Sequence, residues 1–224
     1  MSIVSNVSPL APKNFPIMHS ISGVRFATAN AGIKLGNSED ATLILLEPET
    51  VIAGLFTSSM TRSAPVIDCQ NKISINIANT GAAIIINSGN ANAFTGRHGE
   101  LAVREIIAEL STRVQIPVER IFSSSTGVIG ELLEYQKIIN VFDYLVDSLH
   151  VSKIENAARA IMTTDTFPKG SSVKVSSSGG KITISGIAKG SGMIAPNMGT
   201  MLVYIFTDAL IDKKDLQSVV ADLN

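Results

Sequence analysis

The segment KGSGMIAPNMGTML, residues 189–202, places one hydroxyl, that of Thr200, between a glycine-rich stretch and the apolar run MLVYIF. Gly199 has no side chain to hinder attack of this hydroxyl on the preceding carbonyl, so the bond between Gly199 and Thr200 is a candidate for self-cleavage. The α-amine released on Thr200, with an ordinary pKa of about 7.7–8.0, could then act as base for its own hydroxyl. A threonine that simply begins a β-strand remains the alternative interpretation.

Two further segments carry polar groups directly after predicted strands. In SSSTGVIGE, residues 123–131, a strand ends at small hydroxylic residues and Gly127, and a helix is expected soon after. Such a turn exposes backbone N–H groups near a helix N-terminus, where they hold an anion or a developing oxyanion. An ordinary strand-to-helix turn fits the same pattern. NSGNANAFTG, residues 87–96, is typical of a tight loop knitted together by side-chain amides.

Other chemistries have little support in the sequence. GSGMIA, residues 190–195, matches the dinucleotide pattern G-x-G-x-x-A, but Pro196 and a β-like run follow where that motif requires a helix. His19, His98 and His150 are scattered, and none has a second ligand at a spacing suited to a metal ion. The sequence therefore predicts neither a metal site nor a cofactor.

Composition narrows the class of protein. The chain has 224 residues, 45% hydrophobic content and a net charge of −1, which fits a globular domain rather than a nucleic-acid-binding one. Its apolar runs are too short to span a bilayer, and its N-terminus lacks the pattern of a secretory signal. The lone Cys69 suits a reducing compartment and is expected to be inert. We therefore expect a cytoplasmic protein that binds neither nucleic acid nor membrane.

Strand and helix patterns indicate how these segments are positioned. Strands are predicted for residues 40–58 as a hairpin around EPET, for 72–78, 82–86 and 118–125, for a hairpin around Gly179–Gly180, and for MLVYIF. Helices are predicted for residues 98–114, 130–149, 152–165 with Ser152 as N-cap, and 212–224. Because strands are followed by strands and helices by helices, a layered α+β domain is favoured over a doubly wound parallel sheet.

Several segments together resemble one known family. APKNFP, ANAGIK, NSGNANAFTG, SSTGVIG, AIMTTDTFPK and the segment around Thr200 occur in the order and spacing found in the ornithine acetyltransferase (glutamate N-acetyltransferase) family. The resemblance extends from about Ala11 to Asp208. It implies a layered α+β sandwich of the self-processing ArgJ/DmpA-like type. Residues 1–199 would correspond to the α chain, and residues 200–224 to the start of a β chain that is incomplete here.

The resemblance also implies roles for individual residues. Thr200 would be the nucleophile, freed by cleavage after Gly199 and then acetylated. Thr126 and Gly127 would form the oxyanion hole, through a hydroxyl and a backbone N–H. Thr163 and Lys189 would bind the amino-acid substrate together with Thr200, since the Lys189 ammonium is suited to a carboxylate.

The implied reaction belongs to arginine biosynthesis. It transfers acetyl from N2-acetyl-L-ornithine to L-glutamate by a ping-pong route through an acetyl-threonine intermediate, without a cofactor. Some family members also accept acetyl-CoA. The implied assembly is a heterotetramer of two α and two β chains.

Two features depart from the family pattern. The residue before the nucleophile is usually alanine in the family, whereas here it is Gly199. The chain also ends at Asn224, before the downstream region that supplies an acidic substrate-binding residue and half of the core in the family. The second hypothesis is therefore a truncated, non-catalytic remnant or an assembly partner of the same fold.

Overall fold

The chain forms two β-sheets and a layer of helices. A computed structural model describes residues 7–75, 77–177, 179–191 and 200–223. Within these ranges the strands form one four-stranded and one three-stranded sheet. The predicted layered α+β architecture is confirmed.

The four-stranded sheet has the strand order β1-β2-β3-β4. Its strands are β1 (Val24–Ala29), β2 (Ala41–Leu46), β3 (Ala82–Asn90) and β4 (Ile121–Val128). The first two pairings are antiparallel, and β3 pairs with β4 in parallel. Because both faces of this sheet are covered, β2 and the first half of β3 are apolar runs rather than alternating sequences. The parallel pair brings the carboxyl ends of β3 and β4 to the same edge.

The three-stranded sheet is an antiparallel meander in the order β5-β6-β7. It consists of β5 (Lys169–Ser177), β6 (Gly180–Lys189) and β7 (Leu202–Thr207). Burial alternates along β6 with the period of two that a strand requires, so Ile187 and Lys189 share its buried face. The last residue of β6, Lys189, is paired with the first residue of β7, Leu202.

The helices differ widely in length and burial. They are α1 (Ala64–Lys72), α2 (Gly96–Val114), α3 (Tyr135–Ile139), α4 (Phe142–Asp147), α5 (Ile154–Ala160) and α6 (Lys213–Asp222), with a 3₁₀ turn at Val118–Arg120. The longest, α2, buries residues spaced three and four apart, such as Val103, Ile106 and Leu110, against the four-stranded sheet. On the same side, α3 and α4 complete this layer. None of the residues of α6 is buried.

The second core lies between the two sheets. Phe26 of β1 and Phe206 of β7 meet edge to face, with ring centroids 5.2 Å apart. Ile187 of β6 and Ala157 of α5 belong to the same buried cluster. This packing holds the end of β6 close to the end of β4, where the candidate site lies.

Several predicted elements differ from the observed ones. The hairpin around EPET is wrong in its second half, because residues 51–58 form no strand. The strand predicted for residues 72–78 is wrong as well, since α1 ends at Lys72 and a turn follows. The helix predicted for residues 130–149 is divided into α3 and α4. Ser152 does not cap α5, because its hydroxyl bonds the Nδ1 atom of His150 instead.

Candidate active site

The ammonium group of Lys189 lies buried between two threonine hydroxyls. Its side chain extends from the end of β6, and the residue is only 4% exposed. The Nζ atom donates to Oγ1 of Thr163 at 2.7 Å and to Oγ1 of Thr126 at 3.1 Å. Thr126 lies on β4, and Thr163 follows α5. The structure therefore brings together three of the residues to which the family resemblance assigns roles.

A carboxylate that the sequence analysis did not single out completes this cluster. Asp165 is fully buried at its side chain, and its Oδ1 atom accepts hydrogen bonds from Nζ of Lys169 at 2.7 Å and from the backbone N–H of Gly190 at 2.8 Å. Its Oδ2 atom accepts from the backbone N–H of Thr163 at 3.3 Å and lies 3.8 Å from Nζ of Lys189. We call Thr126, Thr163, Asp165, Lys169 and Lys189 the lysine–threonine cluster.

The surroundings of Lys189 and Asp165 lower the pKa of both groups, but for different reasons. Burial lowers the pKa of Lys189, the Asp165 carboxylate raises it and the nearby Lys169 lowers it, with a lower value as the net result. Burial raises the pKa of Asp165, but hydrogen bonds from Lys169, Gly190 and Thr163 outweigh burial, and the pKa of this carboxyl falls below its usual range. Asp165 is therefore ionised at neutral pH.

A third lysine lies within electrostatic range of the cluster. Lys34 donates from Nζ to the backbone carbonyls of Ala160 at 3.0 Å and Glu39 at 3.3 Å. Burial lowers its pKa, Asp40 raises it and the charge of Lys189 lowers it, and the net shift is downward. The local charge at this end of the sheets is thus positive, which favours an anionic ligand group.

Gly127 lies at an irregularity between β3 and β4, where the register shifts at Gly89 and Asn90. Its φ angle is +138°, and a Cβ atom placed on it would lie 2.2 Å from the carbonyl carbon of Gly89. Only glycine allows this close approach of two backbones. The strand continues to Val128, and the next helix begins only at Tyr135, so the predicted strand-to-helix turn at Gly127 is wrong.

The amide-rich segment after residue 86 is partly strand and partly loop. Asn87 and Asn90 belong to β3, in contrast to the predicted loop. Their side chains nevertheless knit the region together as predicted. Nδ2 of Asn87 donates to the carbonyl of Asn90 at 2.9 Å, Oγ of Ser125 donates to Oδ1 of Asn87 at 2.6 Å, and the backbone N–H of Asn92 donates to Oδ1 of Asn90 at 2.7 Å. These bonds fix the edge of the sheet beside Thr126.

Thr200 lies close to Lys189 along the three-stranded sheet. Lys189 pairs with Leu202, and Thr200 precedes Leu202 by two residues, which corresponds to roughly 7 Å of extended chain. Thr200 is half-buried whereas Met201 is exposed, so the alternation of β7 continues back to Thr200. Gly199, the other residue of the predicted cleavage site, lies outside the described residues.

The remaining candidate residues are separate from this cluster. Cys69 is buried, and its thiol donates to the carbonyl of Ser123 at 3.2 Å. Burial raises the pKa of this thiol to about 12, so the thiolate is scarce at neutral pH. In the part of the chain that the structure describes, no group of three His, Cys, Asp or Glu side chains is arranged to hold a metal ion.

Asp165, Lys169 and Lys34 were missed because their roles depend on distant segments. The available signals were weak: Asp165 and Lys169 stand within AIMTTDTFPK, and Lys34 ends ANAGIK. A carboxylate flanked by threonines and followed four residues later by a lysine is a common surface pattern. Only the fold shows that this pair is turned toward the end of β6.

The fold and the site together define a layered α+β protein with a charged polar site between its two sheets. The sequence profile of the ArgJ family matches residues 25–224. The arginine biosynthesis bifunctional protein ArgJ of Ruegeria pomeroyi is 49% identical over 221 residues, which are 99% of this chain and 54% of that protein. The protein of the same name from Bradyrhizobium diazoefficiens is 45% identical over 96% of this chain and 51% of its own length. The chain belongs to the ArgJ family.

Solved structures agree with this family. The arginine biosynthesis bifunctional protein ArgJ of Bacillus halodurans superposes with a TM-score of 0.73 at 31% identity, over 81% of this chain and 95% of that chain. An ornithine acetyltransferase of Mycobacterium tuberculosis, solved in complex with ornithine, gives 0.72 at 30% identity, over 80% of this chain and 94% of that chain.

The match to the curated relatives covers only part of their length. The chain spans about half of each of the two relatives described above. Among the helices that the structure describes, none is both long and apolar enough to cross a membrane.

Proposed function

We propose that this chain is the first half of an acetyltransferase of arginine biosynthesis that transfers acetyl from N2-acetyl-L-ornithine to L-glutamate. In this proposal the chain is cleaved between Gly199 and Thr200, and the new N-terminal Thr200 carries the acetyl group. The observation that carries the proposal is the contact of Lys189 with both Thr126 and Thr163 at the end of β6, where Lys189 pairs with Leu202, two residues after Thr200.

The charge and the hydrogen-bond donors of the site suit an N-acylated amino acid. Lys189 is a buried cation with two hydroxyl partners and can exchange one of them for the α-carboxylate of ornithine or glutamate. Thr126 and Gly127 stand next to each other where two backbones approach closely. We propose that the Thr126 hydroxyl and the Gly127 backbone N–H stabilise the oxyanion that forms on the acetyl carbonyl.

The proposed reaction has two half-reactions. The Oγ atom of Thr200 attacks the acetyl carbonyl of N2-acetylornithine while the α-amine of Thr200 takes the hydroxyl proton. The tetrahedral intermediate collapses, its C–N bond breaks, and ornithine leaves with that proton on its amine. The α-amine of glutamate then attacks the acetyl-threonine ester, so that N-acetylglutamate leaves and the Thr200 hydroxyl is restored.

The lengths of the matched chains support the cleavage step. The curated relatives are covered to 54% and 51%, whereas the solved Bacillus halodurans chain is covered to 95%. This difference in coverage is expected if the solved relative is divided into two chains near the position of Thr200, since this chain would then match one of the two chains almost completely. Acetyl-CoA as a second acetyl donor, which the resemblance allows for some members, belongs to the same acyl-enzyme chemistry.

The outer face of the three-stranded sheet supports a missing second half. Val173, Val175, Val203 and Ile205 are between 41% and 64% exposed there. Neighbouring exposed apolar side chains are typical of a surface that another chain covers. We propose that the β half of the protein covers this face, within the heterotetramer of two α and two β chains that the family resemblance implies.

Intact-mass measurement tests the proposal directly. The chain is purified alone and after co-expression with the second half of the Ruegeria pomeroyi relative, and then incubated with N2-acetylornithine. We expect fragments 1–199 and 200–224, with one acetyl group added to the smaller fragment. Thr200→Ala should abolish cleavage, whereas Thr200→Ser should retain it because serine offers the same attacking oxygen. A single uncleaved species in both preparations contradicts the proposal.

A further inference from the structure

The carboxylate of Asp165 is the point at which three separate segments of the site meet. Thr163 belongs to the loop after α5, Lys169 begins β5, and Gly190 directly follows β6. All three donate hydrogen bonds to the two oxygens of Asp165, over distances of 2.7–3.3 Å. The side chain is fully buried, so no solvent competes for these bonds. A carboxylate with this many donors holds its neighbours in one arrangement.

Asp165 is also the counter-charge of Lys189. The two hydrogen bonds of the Lys189 ammonium go to neutral hydroxyls, those of Thr126 and Thr163. Its charged neighbours are Lys169 and Lys34, which repel it, and Asp165, whose Oδ2 atom lies 3.8 Å away. Lys34 interacts with Asp40 more strongly than with Asp165, although both carboxylates raise its pKa. Among the described residues that surround Lys189, Asp165 is thus the group that stabilises its positive charge.

We propose that Asp165 is a positioning residue of this site, which keeps the buried Lys189 ammonium charged and fixes the first residue of the segment leading to Thr200. Asp165 does not need to contact the substrate for this role. It acts through Lys189, through the Thr163 backbone and through the Gly190 N–H. That Lys189 binds the substrate rests on the proposed function. The stabilisation of the Lys189 charge and the hydrogen bond to the Gly190 N–H do not depend on it.

Replacement of the carboxylate by an amide separates charge from shape. Asp165→Asn keeps the size of the side chain and removes the negative charge. Loss of a nearby opposite charge lowers the pKa of a lysine, because it disfavours the charged form. The Lys189 ammonium in Asp165→Asn should therefore lose its proton at a pH lower by about one unit or more. The exposed Asp143→Asn, in the helix layer, is the matched control.

The experiment is an NMR titration of the 224-residue chain labelled with ¹³C-lysine. The Cε–Hε signal of Lys189 is assigned as the signal missing from Lys189→Met and is followed with pH in the wild type and each variant. We expect a lower midpoint for Lys189 in Asp165→Asn and an unchanged midpoint in Asp143→Asn. Hydrogen exchange at the Gly190 amide should become about tenfold faster or more in Asp165→Asn alone, because the amide loses a charged acceptor.

In a second variant the titration midpoint of Lys189 should shift in the opposite direction. This variant can be measured even if Asp165→Asn does not fold. Lys169→Met removes a like charge and leaves Asp165 in place, so the midpoint of Lys189 should rise. A purely structural role of Asp165 predicts no fall of the Lys189 midpoint in folded Asp165→Asn. An unchanged Lys189 midpoint in folded Asp165→Asn, or a fall in Lys169→Met, overturns the proposal. Neither readout requires cleavage or acetyl transfer, so failure of the proposed function is recognised separately by the mass measurement.

Discussion

The Nζ atom of Lys189 lies 3.1 Å from the Oγ1 atom of Thr126, across the boundary between the two sheets. Lys189 ends β6 of the three-stranded sheet, and Thr126 lies near the end of β4 in the four-stranded sheet. The contact depends on the packing of the two sheets, with α5 contacting strands of both. The candidate site is therefore a product of the whole fold, and its geometry responds to changes in either sheet.

Thr126→Val tests the contribution of the Thr126 hydroxyl to the proposed reaction. Valine matches threonine in shape but cannot accept the Lys189 hydrogen bond or donate to an oxyanion. We expect kcat for acetyl transfer to fall by about 10²–10³, while the free energy of unfolding falls by about 1 kcal/mol. Both are measured on the chain co-expressed with a relative's second half, by product assay and urea unfolding.

Thr42→Val is the matched control for that variant. Thr42 is equally buried, and its hydroxyl has no hydrogen-bond partner among the described residues. Its removal should leave both activity and stability unchanged or slightly improved, because a buried unpaired hydroxyl destabilises the fold. Equal losses of activity in both variants would contradict a specific role of Thr126.

The close backbone approach at Gly127 predicts a large steric effect of one methyl group. In Gly127→Ala the new Cβ atom must displace the backbone of Gly89, 2.2 Å away. Gly130 also has a positive φ, of +89°, but a Cβ atom there meets nothing within 4 Å. We expect Gly130→Ala to lower the free energy of unfolding by about 1–2 kcal/mol and Gly127→Ala to lower it by at least about 2 kcal/mol more. If both variants lowered the free energy of unfolding equally, β3 and β4 would have to separate easily at Gly127.

The sequence predicted the strands that have strong local patterns. The buried run at residues 82–86 and the hairpin around Gly179–Gly180 are observed. The strand predicted for VERIFSSS is observed from Ile121 onward, whereas Val118–Arg120 form a 3₁₀ turn. Helix α1 was missed because its sequence, APVIDCQNK, buries only Pro65 and Cys69 and shows no clear apolar face. A weakly amphipathic helix of this kind is stabilised by its contacts with β4 and α2, which no local window contains.

The site was only partly predictable for a related reason. Thr126, Thr163 and Lys189 were named through a family resemblance, and the fold brings them together. Asp165 follows Thr163 by two residues in the sequence, yet nothing local indicates that its carboxylate meets Lys189 and Gly190. A charge's importance depends on burial and on partners distant in sequence, and both are set by tertiary packing.

Acid unfolding should reveal the buried Asp165 carboxylate. Its pKa in the folded state is below the usual value near 3.9, so the folded state binds fewer protons than the unfolded chain in the range between the two values. The stability that this carboxylate contributes is present above the unfolded pKa and is lost as the pH falls through the folded pKa. In urea unfolding, the difference between wild type and Asp165→Asn should therefore narrow on acidification. The difference between wild type and Asp143→Asn should stay small throughout; a constant gap for Asp165→Asn contradicts the assignment.

The buried thiol of Cys69 should be unreactive in the folded chain. Its pKa of about 12 leaves little thiolate at pH 8, and the residue is only 5% exposed. A disulfide reagent such as dithionitrobenzoate should label the thiol at least about a hundredfold more slowly than in guanidinium. Lys174→Cys in a Cys69→Ala background provides an exposed thiol for comparison. Labelling of native Cys69 at the rate of that exposed thiol would show that α1 opens readily from β4.

The apolar outer face of the three-stranded sheet should control association with a second half. Ile205 is 64% exposed on that face of the edge strand β7, two residues from Val203 at 47%. Ile205→Asp places a charge where a covering chain would bury it, so co-purification with the second half of the Ruegeria pomeroyi relative should fall by about tenfold or more. Tyr144→Asp alters a residue that is 60% exposed on α4, in the opposite layer, and should leave co-purification unchanged. Equal recovery of the second half with both variants would show that it binds elsewhere on the chain.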